Sequence, residues 1–203
     1  MATTASPKVA TTLGLRNVVF APLTEDTTEG TTYGDVQALA GAIEATISPE
    51  NKDPDILYAD DIEFDTLYAD PKVKFTAKMA DIPLVIQEML FANTVDDNGV
   101  LIRTAQDSPP YFAVGFKSQK SNNTYRYVWL YKVRATPMKE TYATKEGDSV
   151  TRQNGEIEFT AIKRTSDGRY QAIADEGEGG FTPEKGKTFL DEVYEATFTQ
   201  TTP

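Results

Sequence analysis

Residues 111–134, YFAVGFKSQKSNNTYRYVWLYKVR, constrain the chain more than any other stretch. They read as two long strands joined by a turn. Tyr125, Tyr127, Trp129, Tyr131 and Val133 fall on one side of a period-two strand. Arg126, Val128, Leu130, Lys132 and Arg134 fall on the other. The stretch carries five cations and no acid, in a chain whose net charge is -11. A basic, aromatic hairpin inside an acidic protein needs an explanation, and taken alone it suggests a nucleic-acid grip.

The chain has 203 residues, enough for one substantial domain that buries about 70% of its unfolded surface. It has no cysteine and no histidine. Disulfide frameworks, thiolate or imidazole metal sites, Cys or Ser-His nucleophiles and histidine switches are thereby excluded. Carboxylates, lysines, tyrosines and hydroxyls remain, and none of them forms a catalytic constellation, so no enzyme activity and no cofactor are expected. No run reaches the roughly 20 apolar residues of a membrane span, and the start MATTASPKVATTLGLR lacks the features of a secretory signal. A soluble protein with no membrane partner is expected. An excess of 31 acids over 20 bases argues against a protein that grips nucleic acid through many phosphates.

The charge is unevenly placed. Residues 49–71 hold eight acids and one lysine, and residues 174–203 hold seven acids and two lysines. Acidic segments therefore flank a mildly basic body and are candidates to dock on a neighbour's basic surface.

Residues 1–12 read as an N-terminal arm. LGLRNVVFAPL is a strand ending at Pro22, and TEDTTEGTTYGD is a polar loop. VQALAGAIEATI alternates as a strand with an irregularity at Gly41, its alanines leaving a helix as the alternative. In the acidic segment LYAD occurs at 57–60 and again at 67–70, as two similar arms of an extended hairpin. Asp61, Glu63 and Asp65 share one face there, a row that resembles metal ligands but reads as the wet side of a strand, so no metal is expected. KVKFTAKMA alternates cleanly, with Val73, Phe75, Ala77 and Met79 opposed to lysines. In DIPLVIQEMLFAN, Ile82, Val85, Ile86, Met89 and Leu90 recur at helical spacing, which predicts one amphipathic helix over about 82–92. Asp81 is placed to cap it, and its apolar stripe should face the core.

Asn98-Gly99 signals a hairpin turn; the spacing around it fails as a calcium loop, because two essential carboxylates are missing. GEIEFTAIKRT and RYQAIAD are further strands around a Ser166-Asp167-Gly168 turn. EGEGG at 176–180 lacks the spacing of a nucleotide loop and reads as a flexible joint. KTFLDEVYEATFT is compatible with helix or strand. Together these elements predict an α+β, mainly β domain: an antiparallel β-sandwich or barrel with one amphipathic helix and extended arms.

The order of LGLRNVVFAPLTED, YGDVQALAGAIEATISPE, LYADD, the DNGV turn, PPYFAVGF and YRYVWLYK resembles the major tail protein of long-tailed bacteriophages, over residues 13–175. The resemblance implies a structural virion protein assembled in the host bacterial cytoplasm. Its subunits form six-membered rings that stack into the tail tube, the conduit for genome ejection. It further implies a tube domain over 13–175 containing the acidic loop 49–71, extended arms, and strand pairing between neighbours; residues 176–203 lie outside the resemblance and are taken as the C-terminal arm. The partners implied are other copies of the chain, tape-measure and tail terminator proteins, and DNA passing transiently without specific binding. Combined with the charge map, it makes Asp60, Asp61, Glu63 and Asp65 candidates to meet Arg126, Lys132 and Arg134 across a subunit interface. The alternatives are a tail terminator or head-tail joining ring, or a carbohydrate-binding β-sandwich with Trp129 in a stacking platform.

Overall fold

The computed structural model describes residues 9–39, 41–50, 55–59, 62–67, 70, 72–140 and 155–198. In chain order the elements are β1 (Thr12–Asp26), β2 (Thr31–Tyr33), β3 (Gln37–Ala38), β4 (Ala42–Glu50), β5 (Asp55–Ala59), β6 (Ile62–Leu67), β7 (Lys72–Met79) and α1 (Leu84–Phe91). There follow β8 (Thr94–Val95), β9 (Leu101–Ile102), β10 (Tyr111–Lys120), β11 (Tyr125–Ala135), β12 (Gly155–Ala161), β13 (Gln171–Asp175) and α2 (Pro183–Thr188). Nine strands form one antiparallel sheet along the path β2-β1-β10-β11-β12-β7-β4, with β13 also on β11 and β3 on β1. The mainly β, α+β class is therefore observed, but the sheet does not close into a barrel. β5–β6 and β8–β9 are separate two-stranded ladders.

The hairpin β10–β11 lies at the centre because both of its faces are buried. On one side Phe112, Val114, Phe116, Val128 and Leu130 join Phe20, Phe75, Ile157 and Phe159 in the main core. On the other, Ala113, Tyr127, Trp129 and Tyr131 form a second core with Phe189 and Leu190. Alternation along β11 is broken once. Phe112 pairs with Val133 and Val114 with Leu130, so Tyr131 and Lys132 together face Ala113 in a bulge. The extra residue reverses the facing of everything after it. Val133, expected beside the tyrosines, turns into the main core with Ala135.

β7 and β12 follow their sequence pattern closely: Val73, Phe75, Ala77 and Met79 are buried, as are Ile157, Phe159 and Ala161. Each has one face to hide and one to wet, which is the case that alternation reports. Pro22 does not end β1. At that residue the strand passes from pairing with β10 to pairing with β2, so part of the expected polar loop is a paired hairpin. Gly41, at φ 84°, separates β3 on β1 from β4 on β7.

α1 is shorter than expected, and its apolar stripe faces the core except at Val85. Its N-cap is Pro83, and Asp81 accepts a hydrogen bond only from the adjacent Ile82 N–H (2.8 Å), so the expected cap is not made. Val85 is 64% exposed, while Leu90 and Phe91 are buried with Gln87. Ile82 just before α1 is buried, and Ile86 and Met89 pack half-buried against the core, so of the expected stripe Val85 alone stays in water.

Gly115 faces Trp129 across the β10–β11 ladder, and a Cβ there would lie 2.8 Å from three ring atoms of the indole. The indole occupies the space that a side chain would need. Gly115→Ala is expected to destabilise the fold by about 1–3 kcal/mol through overpacking. A lower urea midpoint at unchanged denaturant slope would show it.

Candidate functional site

The aromatic face of β11 is covered by the chain's own C-terminal segment. Residues 176–180 are not an open joint: Gly177 N–H donates to Phe181 O (2.8 Å) and Phe181 N–H to Glu178 O (2.8 Å), closing a compact turn. Thr182 and Pro183 then start α2, with the Thr182 hydroxyl accepting from Lys185 N–H. Residues 181–195, part of the expected C-terminal arm, lie as a strap over Tyr127, Trp129 and Tyr131.

Each polar tip of that aromatic row finds an acceptor. Tyr127 OH donates to Glu176 Oε1 (2.8 Å), Trp129 Nε1–H to Phe189 O (2.9 Å), and Tyr131 OH to Tyr194 O (2.8 Å). Phe189 packs edge-on against Tyr127 and Phe181, with ring centroids 5.5 and 5.2 Å away. Close docking of α2 requires Gly186, since a Cβ there would lie 2.6 Å from the Tyr127 hydroxyl. Burial pushes the Tyr131 hydroxyl up to about 12 and raises that of Tyr127 further, assisted by the Glu176 carboxylate. With Trp129 fully buried, the stacking platform that a carbohydrate-binding reading needs is not on the surface.

Arg164 fastens the end of the strap. It is 2% exposed, stacks on Tyr131 (4.2 Å to the ring centroid), and donates to Asp167 and Glu195. Sequence reasoning gave it no role. The only local signal was Asp167, three residues on, which Arg164 engages across the turn.

Within the subunit, acids from flanking strands meet the cations of the hairpin. Asp175 accepts from Lys120 (2.9 Å) and from Nε and Nη2 of Arg126 (both 2.7 Å). Asp26 accepts from Lys132 (2.6 Å), from Thr165 N–H (3.0 Å) and from the Thr165 hydroxyl (2.8 Å). The Arg126 hydrogen bond dominates at Asp175 and holds its carboxyl at about 2. Burial opposes ionisation of Asp26, yet the bonds from Lys132 and Thr165 outweigh it and bring that carboxyl to about 2 as well.

Of the expected interface residues, Arg126 and Lys132 are thus engaged inside the subunit. Arg134 is exposed and lies over the Tyr111 ring (4.2 Å), with no carboxylate partner among the described residues. Asp60 and Asp61 lie outside the described residues. Glu63 and Asp65 stand on β6, opposite Tyr58 and Leu57 of β5, so the extended hairpin expected for the acidic loop forms through these two strands.

The outer side of β4 has no ladder partner among the described residues, and Ile43 on it is 52% exposed. Between β4 and β1 lies a cleft of about 560 Å³ lined by Leu15, Asn17, Val18, Leu39 and Ala42. Leu84 and Val85 of α1 add exposed apolar surface. Such an edge is a template for another strand. Compared with models of known protein families and with curated proteins, the chain matches none.

Asp26 and Asp175 ionise more readily folded than unfolded, so both stabilise the fold above the unfolded carboxyl pKa near 3.8. That contribution is lost as pH falls towards 2, and is worth about 2 kcal/mol for each group. Urea midpoints should fall steeply between pH 4 and pH 2. Asp26→Asn and Asp175→Asn should each lower the midpoint at pH 7 and flatten that acid limb. Phe189→Ala, which empties the strap's anchor, is expected to cost about 3–5 kcal/mol, read from the same denaturation curve.

Proposed function

We propose that the chain is a self-assembling structural subunit of a phage tail tube. The observation that carries this reading is the outer edge of β4, nine residues long and without a ladder partner among the described residues, in a sheet that stays open. On a monomer such an edge invites uncontrolled aggregation. In a ring it is the joining surface, and each subunit completes the sheet of the next. The exposed apolar side chains of Ile43, Leu84 and Val85 fit an assembling role, since they would be covered by neighbours. The order of motifs over residues 13–175 supports the same reading.

The charge map fits a conduit. A net charge of -11 disfavours adhesion of DNA phosphates during transit. The cations of Arg126 and Lys132 are matched internally, so docking of the acidic loop on a neighbour falls to Arg134. Among the described residues no helix is long and apolar enough to cross a membrane, which accords with a virion location. The competing reading within the virion is a terminator or head-tail joining ring built on a similar core.

Negative-stain microscopy of the purified protein separates these readings. Tubes of indefinite length are the expected result, single closed rings would indicate a terminator, and a persistent monomer would overturn both. Ile43→Lys should leave the monomer folded and raise the concentration needed for assembly about tenfold, equivalent to about 1.4 kcal/mol. Neutralising Asp60, Asp61, Glu63 and Asp65 together should weaken ring stacking and reduce its dependence on salt, measured by sedimentation at two ionic strengths.

A further inference from the structure

We propose that the strap of residues 181–195 is a hinged cover, which comes off the aromatic face of β11 as a unit while the rest of the subunit stays folded. The device is separate from the β4 edge and does not depend on the assembly reading.

The first observation is how the strap is attached. The strands of the sheet are held by ladders of backbone hydrogen bonds. Among the described residues, no backbone-to-backbone bond runs from 181–195 to that sheet. Gly186 N–H donates to Thr182 O (3.1 Å) and Asp191 N–H to Thr188 O (3.0 Å), both within the strap, and Phe181 bonds only to the turn before it. The hydrogen bonds that hold the strap to the body come from the side chains of Trp129, Tyr131 and Arg164, which reach Phe189 O, Tyr194 O and the Glu195 carboxylate.

The second is a joint at the right place. Glu176 is pinned to β11: its N–H donates to Tyr125 O (3.0 Å), and its carboxylate accepts from Tyr125 N–H (3.0 Å) and from Tyr127 OH (2.8 Å). The next fixed points are Phe189 and Leu190 in the second core. Just after Glu176 come Gly177, Glu178, Gly179 and Gly180, with the three glycines at φ 85°, 55° and 80°. Glycine exchanges such a conformation for an extended one at little steric cost, so rotation here strains neither side.

The third is the division of the core. The strap packs only in the second core, whereas Phe20, Phe75, Phe112, Ile157 and Phe159 lie in the main core on the other face of the sheet. Complete unfolding loses both cores and every ladder. Opening loses the cover of one face, so it is the less costly event. It lays bare Trp129, the single tryptophan of the chain.

Native-state hydrogen exchange of the full chain in urea below its unfolding transition tests this, with acrylamide quenching of Trp129 fluorescence alongside. The amides of Gly186 and Asp191 should exchange together, at least about a hundredfold faster than the ladder amides of β7 and β12 and with a weaker dependence on urea. Ile157→Val, in the main core that both forms retain, should speed the β7 and β12 amides about threefold or more and leave the strap amides unchanged. Glu195→Gln, which removes a charge from the bond to Arg164, should speed the strap amides and increase quenching of Trp129. The wild-type pattern decides even where a variant does not fold. Strap amides that exchange at the rate of β7 and β12, equal acceleration of both sets by Ile157→Val, or quenching confined to the unfolding transition would overturn the proposal.

Discussion

The position of Trp129 is the constraint on which the rest of the structure depends. Its indole lies over Gly115 on the partner strand, which has no side chain to hold it off, and its N–H reaches the backbone of Phe189 on the strap. One residue therefore joins the central ladder to the layer that covers it. The pattern is a large aromatic ring filling the place of a missing side chain across an antiparallel pair. It explains why a hairpin in mid-chain can be buried on both faces, with the strap of residues 181–195 as the cover on one of them. Tyr127 and Tyr131 repeat the arrangement to either side, each with an apolar ring inside and a hydroxyl bonded at the boundary.

The positive charge of the hairpin follows from the same burial. A strand with covered faces has few places to put charge, and those that remain are next to flanking strands. Asp175 on β13 and Asp26 at the end of β1 arrive there and fix the register of what they join. Replacing both members of such a pair by apolar groups is often neutral, whereas removing one leaves a buried charge alone. Their value to this fold lies in specifying which strand sits where. The cations that first suggested contact with a partner mainly organise the subunit itself.

Legibility of the sequence varied with the number of faces a segment hides. β7 and β12 could be read residue by residue, because Val73, Phe75, Ile157 and Phe159 alternate with side chains that meet water. β11 gave its length and its aromatic row, but not the bulge at Tyr131–Lys132, which leaves no trace in composition. α1 was found and its stripe faces the core as its spacing implies, except at Val85, whose apolar chemistry does not distinguish it from the residues that are buried. Arg164 and the strap were invisible for a different reason. A buried arginine is specified by groups distant in sequence, here Tyr131 and Glu195, and no local pattern encodes that meeting. Of the proposed interface cations, only the third proved to lack an internal carboxylate among the described residues, and deciding this needed the coordinates of Asp26 and Asp175.

The shifts at the two aspartates and the covered tyrosines move in opposite directions, away from neutrality. With no histidine or cysteine in the chain, no side chain has its ordinary titration between the carboxylates and the tyrosines and lysines. The electrical pattern of the surface is therefore nearly constant from above the carboxylate range to below that of the tyrosines and lysines. Acidification of a few units around neutrality leaves it unaltered. Dissolved ions, rather than acidity, become the principal external variable acting on its charges.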